Sequence, residues 1–179
     1  MAELPEQNRL PAQSADALFA SVYEKLKRMA SRRLSGDDRT ASMDTTVLVH
    51  ELYLRVNTQR DLKFDHPSQF FTYAARAIRH LLADRARDRM TQRAGGEWMR
   101  VTLTGEDPRF ALDSAEQALA LDASLQRLEA ADARAARVVE LRYFAGLTAT
   151  QAAETLDIAR STADRDWEFA QAFLKTDLG

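Results

Sequence analysis

The sequence predicts an all-α protein, two small helical domains joined by a flexible linker. Three observations predict it. The 179 residues include only 6 Gly and 4 Pro, while Ala, Leu and Arg are plentiful, a balance that favours helix over strand. Apolar residues recur at helical spacing along most of the chain, and no segment alternates in the manner of a strand between turn signals. Charge is divided along the chain. Residues 17–95 carry 15 Lys/Arg against 9 Asp/Glu, residues 96–179 carry 9 against 15, and residues 1–16 carry 1 against 3. The net charge of −2 is unpromising for a polyanion binder, but a basic half joined to an acidic half implies two modules with different duties. Polyanion binding belongs to the first.

The elements follow in order. Residues 1–16 form a polar tail without the apolar core of a signal peptide. Phe19, Val22, Tyr23, Leu26, Met29 and Ala30 mark a first helix from about Asp16 to Arg33, broken at Ser35-Gly36-Asp37-Asp38. A second helix is expected from about Asp44 to Thr58. Val47, Leu48, Val49, Leu52, Tyr53, Leu54 and Val56 make it apolar nearly all round, with Glu51 and Arg55 as an i,i+4 pair on its polar strip. A loop spans Thr58 to His66, and Pro67 suits the first turn of a third helix ending near Arg93. Phe70, Phe71, Ala74, Ala77, Ile78, Leu81 and Leu82 are its buried stripe. Gly95-Gly96 closes the first domain, 17–95.

Residues 96–114 lack a sustained period, contain Gly105 and Pro108, and read as a linker. The second domain, 115–179, begins with a helix from Ala115 to Ala131 carrying Leu119, Leu121, Leu125 and Leu128. Asp132 caps a fifth helix that ends at Phe144, with Gly146 just past it. Thr148-Ala149-Thr150-Gln151 matches the S/T-x-x-Q capping box and opens a short helix to Leu156. Asp157-Ile158 turns the chain into a last helix from about Arg160 to Lys175. Ala152 and Ala153 permit close crossing, while Leu156, Ile158, Trp167 and Ala170 are core candidates. A short helix, a tight turn and a longer helix make a helix-turn-helix, whose second helix enters the major groove in DNA-binding proteins. A helical hairpin without a DNA role fits the same pattern.

Several functions are excluded by what is missing. No apolar run approaches the roughly 20 residues of a membrane helix, and the absence of cysteine removes disulfide and thiol chemistry. His50-Glu51 would need a second His at position 54 to form a zinc-protease helix, and that residue is Leu54. His66 and His80 lack metal-ligand spacing, and neither a Gly-rich phosphate loop nor G-x-S-x-G occurs. No catalytic residue, metal or cofactor is expected, and a cytoplasmic location is the simplest reading.

Two surfaces remain as nucleic-acid candidates. Arg76, Arg79, Arg85, Arg87, Arg89, Arg93 and Arg100 crowd the third helix and its end, bordered by His80 and by Phe64, Phe70, Phe71 and Tyr73. Arginine suits phosphate contact and exposed aromatics stack on unpaired bases. Phe70 and Phe71 read better as core, and a solvated face is the other account of the arginines. On the last helix Arg160, Ser161, Thr162 and Arg165 can reach phosphate or bases, while Asp164, Asp166 and Glu168 oppose phosphate.

At these residues the chain, from about Leu18 to Gly179, resembles an extracytoplasmic-function sigma factor of the sigma-70 class. More narrowly it resembles the subgroup whose second helix reads T-x-L-V-H-E-x-Y-L-R, here Thr46 to Arg55. Further matches are Phe70-Phe71, Ala74-Ala75-Arg76, Asp84-Arg85-Ala86-Arg87, the run Ala136 to Phe144, Gly146-Leu147, and Arg165-Asp166-Trp167 before Ala170. The resemblance implies a region-2-like domain at 17–95 and a region-4-like domain at 115–179. The second helix, with Asp44, Thr46, Glu51 and Arg55, is then the part that docks on the clamp helices of the polymerase beta-prime subunit. Lys63, Phe64, Arg76, Arg79, His80, Arg85 and Arg87 belong to the part that melts and reads the minus-10 element. Arg160, Ser161, Thr162 and Arg165 belong to the minus-35 reader, a domain that also meets the beta flap. The linker would thread the polymerase channel.

The chain departs from the family pattern where Asp164 and Glu168 replace basic residues. It departs again where Asp44 is followed by Thr45 and Thr46 instead of carboxylates. Phosphorylation of Thr46, or alternatively Thr45, by a Ser/Thr kinase would restore that charge. An anti-sigma protein is a further expected partner. The rival functions are a polymerase-independent helix-turn-helix regulator and a module that sequesters a partner.

Overall fold

The structure, a computed structural model, describes residues 13–14, 49–56, 58, 63–91, 101–102, 111–112 and 114–179. The first expected helix, the glycine pair at 95–96 and Asp44, Thr45 and Thr46 lie outside the described residues. Among the described residues six helices carry the fold: α1 over residues 49–56, α2 Pro67–Thr91, α3 Ala115–Ala131, α4 Ala133–Val139, α5 Ala149–Thr155 and α6 Arg160–Leu178. A π-helical turn, Glu140–Phe144, prolongs α4. The all-helical expectation holds apart from two antiparallel ladders of two residues each. Gln13–Ser14 pairs with Lys63–Phe64, and Val101–Thr102 with Ala111–Leu112. Ladders this short leave no alternating pattern to read. One ties the polar tail to the loop before α2, and the other lies inside the expected linker, where Leu112 is buried.

The helix boundaries follow from their end groups. The Ser114 hydroxyl accepts from the backbone N–H of Gln117 and starts α3. The Asp132 carboxylate accepts from the N–H groups of Arg134 and Ala135 and starts α4. The π-helical turn ends where the Ala145 N–H reaches the Glu140 carbonyl, followed by a Leu147 N–H to Leu141 carbonyl bond at 3.0 Å across Gly146, whose φ is +65°. Thr148 and Gln151 form the full capping box: the Thr148 hydroxyl accepts from the Gln151 N–H, and the Gln151 side chain accepts from the Thr148 N–H. The last helix runs to Leu178, beyond the expected Lys175.

Helices of the basic and acidic halves share one hydrophobic cluster. Val49, Leu52 and Val56 of α1 join Phe70, Ala74, Ile78 and Leu82 of α2, Leu121, Leu125 and Leu128 of α3, and Tyr143 and Phe144. A smaller cluster sets Ala75 and Phe71 of α2 against Leu141, Ala145, Leu147, Ala152 and Leu156. Helix α1 is less enclosed than its apolar composition predicts, because Leu54 stays 49% exposed. Leu156, Ile158 and Trp167 are half-buried, so the helix-turn-helix core rests mainly on Ala152, Ala153, Ala163, Ala170 and Leu174.

The turn between α5 and α6 carries a backbone constraint. Asp157 has φ +53° and is the non-glycine residue in the left-handed region among those described. Asp tolerates that region better than a β-branched residue, whose Cβ meets its own carbonyl. Asp157→Val is therefore expected to cost about 1–2 kcal/mol and Asp157→Gly close to nothing. Urea unfolding of the two variants beside wild type checks this, and equal midpoints for Val and Gly would remove the constraint.

Candidate nucleic-acid interface

Positions 76, 79 and 87 lie within one face of α2, since 3 and 11 residues are close to whole turns of an α-helix. The centre of that face meets the acidic half, and its ends stay partly in water. Arg79 is 2% exposed. Its Nε donates to Asp122 Oδ1 at 2.8 Å, its Nη1 to Glu140 Oε1 at 2.8 Å, and its Nη2 to the Asp122 carbonyl at 3.1 Å. Arg76 Nη2 donates to Glu129 Oε1 at 2.7 Å. Arg87 spans Asp84 at 2.7 Å and the second Asp122 oxygen at 3.4 Å. The fully solvated arginine face that the sequence allowed is thus absent at Arg79 and partial at Arg76 and Arg87.

The carboxylates come from two places. Asp122 and Glu129 are seven residues apart on α3, two turns, and so share its inner face. Glu140 opens the π-helical turn, whose residues Glu140, Leu141, Tyr143 and Phe144 are all buried. Gln126 adds a hydrogen bond to Asp122 at 3.0 Å. Each oxygen of Asp122 therefore has a donor, as a buried polar group requires. Sequence reading missed these acids. Asp122 and Glu129 interrupt the leucine stripe of α3 at helical spacing, a signal that was available. Nothing in the sequence marks Glu140 as inward-facing.

The rest of the expected minus-10 group is distributed around α2. Lys63 and Phe64 sit in the ladder with Gln13–Ser14. Phe64 is buried, edge-on to Phe70 at 5.4 Å between ring centroids and tilted against Tyr73 at 5.8 Å, so it is core in this arrangement. His80 is half-buried, and burial first, then the neighbouring Arg79, hold its imidazole pKa below the usual histidine value. Arg85 reaches Glu51 of α1 at 3.2 Å, and Arg55 lies 3.7 Å from Asp84. Glu51 and Arg55, expected as a pair along one helix, both bridge to the next.

On the helix-turn-helix, Arg160, Ser161, Thr162 and Arg165 occupy the first six residues of α6, the end that meets base edges in this motif. Arg160, Ser161 and Arg165 are exposed and Thr162 is half-buried. The acids of α6 are largely committed elsewhere. Asp166 is buried and held by Arg134, whose Nε and Nη2 donate at 2.6 and 3.0 Å, so its expected clash with phosphate does not arise. Asp164 accepts from Arg160 Nε at 2.9 Å, and Asp177 is held by Arg127. Trp167 lies beneath Arg142, with the guanidinium carbon 3.8 Å from its ring centroid.

Among the described residues no helix is long and apolar enough to cross a membrane, and no group of three His, Cys, Asp or Glu side chains is arranged to hold a metal ion. The family model described as ECF sigma factor matches residues 10–179, nearly the whole chain. A comparison with curated proteins gives no match.

The depressed imidazole pKa of His80 makes stability depend on pH. The unfolded chain takes up the proton near its ordinary value of 6.5, before the folded one does. Stability is full above that value and falls as pH drops through the lower folded value. Unfolding midpoints in urea are expected to decline from pH 7.5 to 5.5, and His80→Gln should flatten that part of the profile. An unchanged slope in the variant would assign the decline to other groups.

Proposed function

The chain belongs to the ECF sigma factor family, non-enzymatic transcription factors that bring core RNA polymerase to promoter DNA, and on that premise we propose how its elements divide the work. Helix α1, with Glu51 and Arg55 and the preceding Asp44 and Thr46, docks on the clamp helices of the beta-prime subunit. The ladder residues Lys63 and Phe64 and the α2 side chains Arg76, Arg79, His80, Arg85 and Arg87 serve melting and recognition of the minus-10 element. Helix α6 reads the minus-35 element through Arg160, Ser161, Thr162 and Arg165, and the same domain meets the beta flap. Residues 96–114 pass through the polymerase channel. The factor works in the cytoplasm.

The observation that supports this division is the capped helix-turn-helix with its cationic and hydroxyl side chains at the start of α6, following an arginine-rich α2 in the same chain. Polar hydroxyls and guanidinium groups at that end suit base edges and phosphates of a major groove. A single exposed reader of this size is a feeble binder alone, so core polymerase supplies affinity by positioning both domains.

Run-off transcription with core polymerase on genomic promoter fragments tests the function directly. Specific transcripts are expected only when the protein is added. Arg85→Ala with Arg87→Ala should weaken open complexes and lower the salt slope by about one per lost phosphate contact, with polymerase binding retained. Arg160→Ala with Arg165→Ala should weaken minus-35 use in the same way. Transcription indifferent to all four changes would reduce these arginines to a solvated face.

The second proposal concerns control. Thr45 and Thr46 stand where related docking helices carry carboxylates, and a phosphothreonine adds about −1.5 to −2 charges. At a helix start that charge also meets the positive end of the macrodipole. A Ser/Thr kinase acting on Thr46, with Thr45 as the alternative, would then switch on polymerase binding, and an anti-sigma protein would be the opposing partner. Capping of the helix is the plainer role for these hydroxyls. The affinity of core polymerase for wild type, Thr46→Ala and Thr46→Glu, each with and without kinase treatment, decides between them. Tight binding by the unmodified protein would leave the threonines as caps.

A further inference from the structure

Arg160 and Arg165 are both exposed near the start of α6, yet their surroundings differ. Arg160 is held from two helices. Its Nε donates to both Asp164 oxygens, at 2.9 and 3.0 Å, and its Nη1 donates to the Thr150 hydroxyl of α5 at 2.6 Å. Arg165 donates its Nε to the Ser161 carbonyl at 3.3 Å and has no ion pair among the described residues. Helix stability does not account for the Arg160–Asp164 pair. Its side chains are 54% and 45% exposed, where such pairs contribute little. Its order is also the less favourable one, since the cation stands on the first residue of α6, at the positive end of the macrodipole. What the pair accomplishes is local. It fixes a long side chain that would otherwise rotate, and it balances the guanidinium charge. Asp164 is itself within electrostatic reach of a second cation, Arg142, which is seated over Trp167.

These surroundings imply different partners on DNA. Of the N–H donors on a guanidinium, Asp164 and Thr150 take one from Nε and one from Nη1, so the two outer nitrogens keep donors to spare. Guanine presents two acceptors, O6 and N7, side by side on its major-groove edge, and it is uncharged. A charge-balanced Arg160 can serve that edge while losing most of its attraction for phosphate. Arg165 keeps its full charge and suits phosphate. We propose that Asp164, with Thr150, is a specificity-determining positioning residue: it holds Arg160 for a guanine edge and withdraws it from phosphate, leaving Arg165 as the backbone contact. The inference deepens the reading of α6 as the minus-35 reader and rests on it. It gives a use to the carboxylate that stands among the cations of this helix, since selectivity rises as general affinity falls. Of the two arginines, only Arg165 then contributes to the salt slope.

The test assembles the full chain with core polymerase on a promoter fragment found by run-off transcription, with the minus-35 region randomised. Bound duplexes are sequenced, and the salt dependence of binding is measured on one fixed duplex. Wild type is expected to enrich a G·C pair at one position. Asp164→Ala should lower that preference about tenfold, the scale of one bidentate base contact, because Arg160 is released to phosphate. The same variant should steepen the log–log salt slope by about 0.9, one phosphate contact. Thr150→Val should lower the preference by a smaller factor. Arg160→Ala should abolish the same preference with the slope unchanged. Arg165→Ala should flatten the slope by about 0.9 and keep the preference. Urea midpoints near that of wild type establish that each variant is folded. A merely structural Asp164 would weaken binding to all duplexes together and leave the preference intact. If Asp164→Ala keeps the guanine preference that Arg160→Ala loses, or if Arg160→Ala flattens the slope as Arg165→Ala does, the positioning role is wrong and the minus-35 reading of α6 stands. If wild type enriches no sequence in that region, or if enrichment and slope are indifferent to all four changes, the minus-35 reading falls and the positioning role with it.

Discussion

A guanidinium cannot be taken out of water alone, and Arg79 is almost wholly out of water. That one fact organises the molecule. Arg79 needs a counter-charge and acceptors for its N–H groups, and the chain supplies them from α3 and from the first residue of the π-helical turn. Both suppliers lie in the acidic half, so the basic and acidic halves cannot be placed independently in this state. The register of α2 against α3 follows, because Asp122 must meet Nε and its own carbonyl must meet Nη2. The remaining pairs, Arg76 with Glu129 and Arg87 with Asp122, lie along that register and need no further adjustment. Apolar packing fills the space around the pairs.

The division of charge in the sequence therefore has a structural meaning as well as a functional one. A balance of +6 in residues 17–95 and −6 in residues 96–179 reads first as one module for nucleic acid and one for something else. The structure adds that the two charges complement each other across a helix–helix contact. For a family whose members act on promoter DNA, the acidic half is not an impediment to be explained away. In this structure it is the electrostatic partner of the basic half.

Much of this was legible before any coordinates. Pro67, Asp132, Gly146 and the Thr148–Gln151 box each place a helix end by local chemistry, and local chemistry is what a sequence displays. The 3.6-residue period placed Phe70, Ile78, Leu82, Leu125 and Leu128 correctly in the core. What escaped was non-local. Whether an arginine faces water or a carboxylate 43 residues away depends on tertiary packing, which no window along the chain can hold. The same holds for Glu51 and Arg55, whose partners lie across on α2 instead of one turn along α1. Phe64 looked like a stacking platform because loops are usually exposed, and a two-residue ladder with the tail was enough to turn it inward. Asp166 looked like a repulsive charge because its counter-ion, Arg134, is on another helix.

The Arg134–Asp166 fork carries a consequence for how much of α6 is open to change. It anchors α6 through the buried carboxylate of Asp166, so the orientation of the helix is set independently of its outer residues. Position 164, whose carboxylate pairs with Arg160 on the same helix, and position 168 on the exposed side are free of that duty. Substitutions at those outer positions can therefore remake the exposed surface of the helix without any change in its posture.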